Sequence, residues 1–189
     1  MAFNNFNNDV FERKKEKFNN HPLEKYESKL KFKVVCKESF NVKELYFTNK
    51  LKSKYLTDVI SSQVYDILNI DGKEYDLDKP PIDDIDKYDF LEKNSNDKER
   101  VPSILNLYGE TFEDGTILKC YPRSPLEHKI GGKGLKGDKV RIFVKKDDED
   151  NWVIILIDPN HLLAETTYKN DYEKYKTNQI DFSQLKSPY

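Results

Sequence analysis

Seven cations, four glycines and a histidine occupy the nineteen residues from His128 to Lys146, HKIGGKGLKGDKVRIFVKK. A second histidine, His161, closes the run DDEDNWVIILIDPNH that follows. Successive glycines let backbone N–H groups converge on an anion, and lysines add point charge. The stretch therefore has the composition of a phosphate-binding loop. Its spacing is not that of a nucleotide P-loop, because GGKGLKGDK lacks the Gly-Lys-Ser/Thr ending and no strand delivers it into a helix. A solvated connector between two core strands would have the same composition, and both readings stay open.

Two histidines can divide acid and base work between a ribose 2′-OH and a leaving oxygen while cations hold the phosphate. His128 and His161 are the candidates for that work, and Arg123, Lys129, Lys133, Lys136 and Arg141 are the candidate phosphate ligands. Surface or capping roles would also place two histidines there, His161 at the start of a last helix. His21 precedes Pro22 in a charged region and reads as exposed. A metal would need a third ligand that the spacing does not supply, and no cofactor is expected. The carboxylates of Asp83-Asp84 and of 147–150 lie in acidic runs and read as solvated faces. Cys36 and Cys120 form no CxxC and have no histidine pair nearby, so they read as small core residues. No G-x-S-x-G or Cys–His pairing suggests a covalent nucleophile. The aromatics set among lysines over 26–55 would stack bases or, on strands, face a core.

Positioning these groups requires elements. KLKFKVVC alternates Leu30, Phe32, Val34 and Cys36 against lysines and predicts a half-buried strand. VKELYFT reads as a second strand. A helix follows from about Asn49 to Val64, with Tyr55, Leu56, Val59, Ile60 and Val64 on one stripe. Asp71-Gly72 between alternating runs predicts a β-hairpin. The acidic, proline-bounded segment predicts a short helix from Ile82 to Lys93 and then an exposed loop. PSILNLYG, TILKCYP behind the Asp114-Gly115 turn, KVRIFVKK and WVIILID read as strands. The last two form an antiparallel hairpin around DDEDN, and the unbroken apolar run makes the final one central. A polar helix from His161 to Lys176 comes after it. The fold class is α+β, a mostly antiparallel β-sheet of five to seven strands with helices packed on one side. The organisation is a flexible 1–8 and a single domain over 9–189, with an internal boundary, if any, at 78–101.

With 189 residues the chain would bury about 70% of its unfolded surface, enough for a core without staples. Net charge is only −2, but it is segregated. Residues 11–54 carry 13 Lys/Arg against 6 Asp/Glu, and 120–146 carry 8 against 2. Residues 55–100 carry 6 against 13, and 147–189 carry 4 against 9. The blocks either pair within the molecule or offer a basic face to a polyanion. No apolar leader or 18-residue apolar window occurs, so the expected setting is the cytoplasm, with no membrane partner.

The order SPLEHKIGGKGLKGDKVRIFVKKDDEDNWVIILIDPNHLL resembles the C-terminal half of RelE/ParE-type toxins over about residues 123–163. There a Pro-Leu and His/Lys/Gly stretch leads to an Arg-bearing strand, an acidic turn, an aliphatic strand and a terminal His. These bacterial toxins are mostly ribosome-dependent mRNA endonucleases. The resemblance implies that His128, Lys133, Lys136, Arg141 and His161 line an RNA-facing sheet, with RNA or the ribosome and an antitoxin as partners. The expected function is thus RNA or phosphate binding, in its sharpest form a metal-independent endoribonuclease toxin of a mobile element. The alternative is a non-enzymatic inhibitor, immunity or anti-defence factor of a phage or plasmid. In that case Asp83, Asp84 and Asp86 would mimic a phosphate backbone toward a defence protein.

Overall fold

The computed structural model describes residues 29–52, 58–77, 80–87, 97–109, 116–123, 140–163 and 167–187. The strands among them are β1 (Lys29–Val34), β2 (Asn41–Val42), β3 (Phe47–Thr48), β4 (Glu74–Asp76), β5 (Ile82–Lys87), β6 (Leu118–Pro122), β7 (Arg141–Lys146) and β8 (Trp152–Asp158). The helices are α1 (Asp58–Leu68), α2 (Asp97–Asn106) and α3 (Tyr168–Tyr175), with 3-10 turns at Lys43–Leu45 and Phe182–Gln184. The expected flexible 1–8 and the Asp114-Gly115 turn lie outside the described residues.

The fold is α+β. Five strands form a mixed sheet in the order β1–β8–β7–β6–β5, and the short β4 pairs antiparallel with the first half of β1. The expectation of a mostly antiparallel sheet is corrected by β1, which runs parallel to β8 in the register Phe32↔Trp152 to Val34↔Ile154. Parallel neighbours need a long crossover. Here the whole chain between residues 34 and 152 provides it, a separation that local patterns cannot register.

Strand β8 explains a second correction. Its ladder with β7 pairs Phe143 with Leu156 and Val144 with Ile154, so Ile155 is the extra residue of a bulge. Ile155 and Leu156 therefore share one face with Phe143 and Val153, while Ile154 and Ile157 join Ile142 and Val144 on the other. Both faces are apolar, and each needs a cover. Val64, Ile67 and Ile70 of α1 and its C-terminal turn, together with Phe182, cover the face of Ile154 and Ile157. Val101, Ile104 and Leu105 of α2 and Tyr172 of α3 cover the face of Ile155 and Leu156. Helices thus pack on both sides, not one. A strand buried on both faces obliges that arrangement.

Several local expectations also change. Helix α1 runs on to Leu68, and Asp71-Gly72 turns from this helix into β4 instead of joining two strands. Gly72 takes φ +73°, so the dipeptide has the turn geometry that its sequence suggests but different neighbours. Ile82–Lys87 is a strand, because its backbone pairs with β6, as in Ile82↔Pro122 and Lys87↔Leu118. PSILNLYG lies in and just after α2, whose Val101, Ile104, Leu105 and following Tyr108 recur at helical spacing and pack on one core. VKELYFT is two short strands around a 3-10 turn rather than one strand, and Tyr46 reverses the chain at φ +47°. The strand at KLKFKV and the β7/β8 hairpin form as expected, and the last helix begins at Tyr168 instead of His161.

Candidate functional site

The turn that leaves β8 carries His161. Asp158 ends the strand fully buried, and its two carboxylate oxygens accept the Leu162 N–H (2.9 Å) and the Leu163 N–H (2.8 Å). The carbonyls of the same two residues accept from the Arg100 guanidinium, at 2.5 Å for Leu162 and 3.2 Å for Leu163. Arg100 also donates to the Leu45 carbonyl at 2.8 Å and stacks 3.7 Å from the Tyr168 ring centroid. Asn160 donates to the Thr48 carbonyl at 2.7 Å and to that of Lys50 at 3.0 Å. With its backbone held this way, His161 occupies φ +58°, a left-handed conformation that costs a side-chain-bearing residue roughly 1–2 kcal/mol.

Electrostatics tie the turn to β7. Arg141 stands directly opposite Asp158 in the ladder. Burial pushes the Asp158 carboxyl above its ordinary pKa, against the two backbone N–H bonds and the charges of His161 and Arg141, which favour the ionised form. His161, half-buried, also lies near enough to Asp171 to favour that carboxylate's charge. The structure thus brings two of the sequence candidates, Arg141 and His161, around a buried carboxylate that sequence reasoning missed. Asp158 was visible only as part of DPN, a turn signal. The chemistry open to the cluster is proton transfer at an imidazole held in place by its braced turn.

A second candidate is a cavity of about 540 Å³ between α1 and the paired ends of β5 and β6. Ile67, Ile70 and Ile82 give it buried apolar walls, and Tyr65, Asp66, Asn69, Lys73, Tyr75 and Arg123 bring polar groups. The Arg123 N–H donates to the Pro81 carbonyl at 2.8 Å and locks the two strand ends together. Buried Gln63 accepts the Val140 N–H at 3.0 Å, so α1 is tied to the start of β7 beside the cavity. The Ser62 hydroxyl donates to Asp66 at 3.4 Å. Burial raises the Asp66 pKa, while Ser62 and then the Lys73 charge act against the shift. Tyr75 packs edge-on against Phe32, with ring centroids 5.7 Å apart, and burial followed by the Asp66 charge raises its hydroxyl pKa.

The sequence candidates therefore separate. Arg123 lines the cavity on the α1 side of the sheet. Arg141 alternates with Ile142 and so falls on the other side, with Phe143. His128, Lys129, Lys133 and Lys136 lie outside the described residues. Asp83, Asp84 and Asp86 belong to β5, with Asp83 opposite Tyr121 and Asp86 opposite Lys119 in the backbone register. The cavity residues Tyr65, Asp66, Lys73 and Tyr75 were missed because their stretch read as a hairpin.

Part of the charge segregation closes on itself. Lys29, Lys33, Lys37 and Lys50 of the first basic block pair with Glu74, Asp147, Asp71 and Asp181 of the two acidic ones. Cys36 and Cys120 are buried free thiols whose pKa values burial pushes up, as expected of inert core residues. Among the described residues, no group of three or more His, Cys, Asp or Glu is placed to hold a metal, and no helix is long and apolar enough to cross a membrane. No family model, curated protein or solved structure matches the chain.

Proposed function

We propose that the protein binds single-stranded RNA, or a phosphate-bearing ligand of the same chemistry, in the cytoplasm. The observation that carries this reading is the cavity, where Lys73 and Arg123 meet two tyrosines and a carboxylate over an apolar wall. Cations for phosphate and aromatic rings for bases are the two elements of single-strand recognition. Arg123 also opens the block 120–146, whose 8 Lys/Arg against 2 Asp/Glu extend the positive charge along the chain from the cavity. The pairing of lysines in the first basic block with the protein's own carboxylates supports leaving that block out of the RNA contact. In its most specific form the protein is an endoribonuclease toxin, with His128 and His161 as acid and base and the ribosome and an antitoxin as partners.

Filter binding of a single-stranded RNA over a salt series tests the reading. Affinity should fall steeply with salt, since counterions are released with each phosphate neutralised. Lys73→Ala and Arg123→Ala should each weaken binding and lower the salt slope by about one. Undetectable binding at low salt would overturn RNA recognition. Loss of activity on charge reversal at Asp83, Asp84 and Asp86 would then point to the protein-binding inhibitor instead.

A further inference from the structure

We propose that the cavity between α1 and the ends of β5 and β6 receives a guanine base, with the Asp66 carboxylate accepting its N1–H and its exocyclic N2–H. The inference rests on the RNA-binding reading above and adds the identity of the base. The cavity volume of about 540 Å³ suits one nucleotide, since small-molecule sites occupy roughly 300–1,000 Å³. Its lining divides by chemistry. Ile67, Ile70 and Ile82 form an apolar wall, Tyr65 and Tyr75 supply aromatic rings, and Lys73 and Arg123 supply cations for a phosphate. Phe32 fixes the Tyr75 ring by an edge contact, so at least one ring is already oriented.

Asp66 has acceptor capacity left over. Among the described residues its hydrogen-bond donor is the Ser62 hydroxyl, on one oxygen and at 3.4 Å. An ionised carboxylate can accept about four bonds, and guanine is the nucleobase that presents two adjacent N–H donors. Adenine and cytosine set a ring-nitrogen acceptor beside their amine, and uracil flanks its one N–H with two carbonyls. A carboxylate facing those edges meets a lone pair. A site that pairs donors with acceptors discriminates because the wrong partner leaves desolvated groups unpaired.

Equilibrium dialysis of the full chain against GMP, IMP, AMP, CMP and UMP tests the assignment. GMP should bind tightest. IMP lacks the 2-amino group and should bind about tenfold more weakly, the scale of one lost recognition contact. AMP, CMP and UMP should be weaker again. Asp66→Asn should bring GMP level with AMP while RNA is still retained on filters through Lys73 and Arg123. Its melting temperature should not fall, because Asp66 makes one long hydrogen bond and burial already disfavours its charge. Equal binding of the five nucleotides, or a guanine preference that survives Asp66→Asn, overturns the assignment. RNA retention without guanine preference removes the base identity alone, whereas loss of all RNA and nucleotide binding removes the underlying reading as well.

Discussion

Asp158 joins stability to the candidate chemistry at the residue scale. Its carboxylate is the acceptor for two buried N–H groups, and the turn it holds carries His161. Asp158→Asn keeps the size but turns one acceptor into a donor that faces an N–H. The expected cost is about 1–3 kcal/mol, the penalty for leaving a buried donor unsatisfied, read from the midpoint of a urea titration. An unchanged midpoint would show that the turn is held by Arg100 and Asn160 alone. His161 is a different case, because its side chain is only half-buried and holds no part of the core clusters. If the protein cleaves RNA, His161→Ala should abolish cleavage while the melting temperature moves little. Undiminished cleavage by that variant would remove His161 from the chemistry and leave it as a turn residue.

At the element scale, β8 carries the molecule. It lies between β1 and β7, one pair parallel and the other antiparallel, and its bulge sends Ile155 and Leu156 to the same face. Ile155 is completely buried against a cluster that includes residues of α2 and α3. Ile155→Ala should therefore cost about 2–5 kcal/mol, transfer and cavity terms together. A loss under about 1 kcal/mol would mean that the bulge relaxes and the cluster closes over the gap. The central position of this strand was legible in WVIILI, since an unbroken apolar run marks burial on both faces. The bulge was not, because it depends on the pairing with β7.

The charge pattern becomes testable at the scale of the whole molecule. Hydrogen bonds from Lys37, Lys33 and Lys174 lower the pKa values of Asp71, Asp147 and Asp171 below the ordinary 3.8. In each case the folded chain binds the proton more weakly than the unfolded chain does. The stability these carboxylates contribute is fully present above pH 3.8 and is lost as the pH falls through the lowered folded values. Asp66 and Asp158, raised by burial, have the opposite sign and blunt the loss. The urea midpoint should thus decline as the pH falls below about 4, and Lys33→Met should shallow the decline. A midpoint that holds steady down to about pH 2 would show the ion pairs to be without net effect.

The alternation in KLKFKV, the apolar run in WVIILI and the acidic turn between KVRIFVKK and that run determined β1, β7 and β8 by themselves. Each is a pattern whose period or length carries its own physical meaning. The sequence also singled out Arg141 and His161, since a guanidinium and an imidazole are recognisable from residue type alone. Only the tertiary structure decided that β1 lies parallel to β8, that helices cover both faces and that IDDIDK is a strand. Those outcomes follow from partners distant in the chain, such as Phe32 with Trp152 and Ile82 with Pro122. The same holds for the sites. Asp158 acquires its role from N–H groups four and five residues on, in a turn shaped by Arg100 and Asn160. The cavity exists because α1, β4 and the ends of β5 and β6 converge, and no local pattern in YDILNIDGKEY announces that meeting.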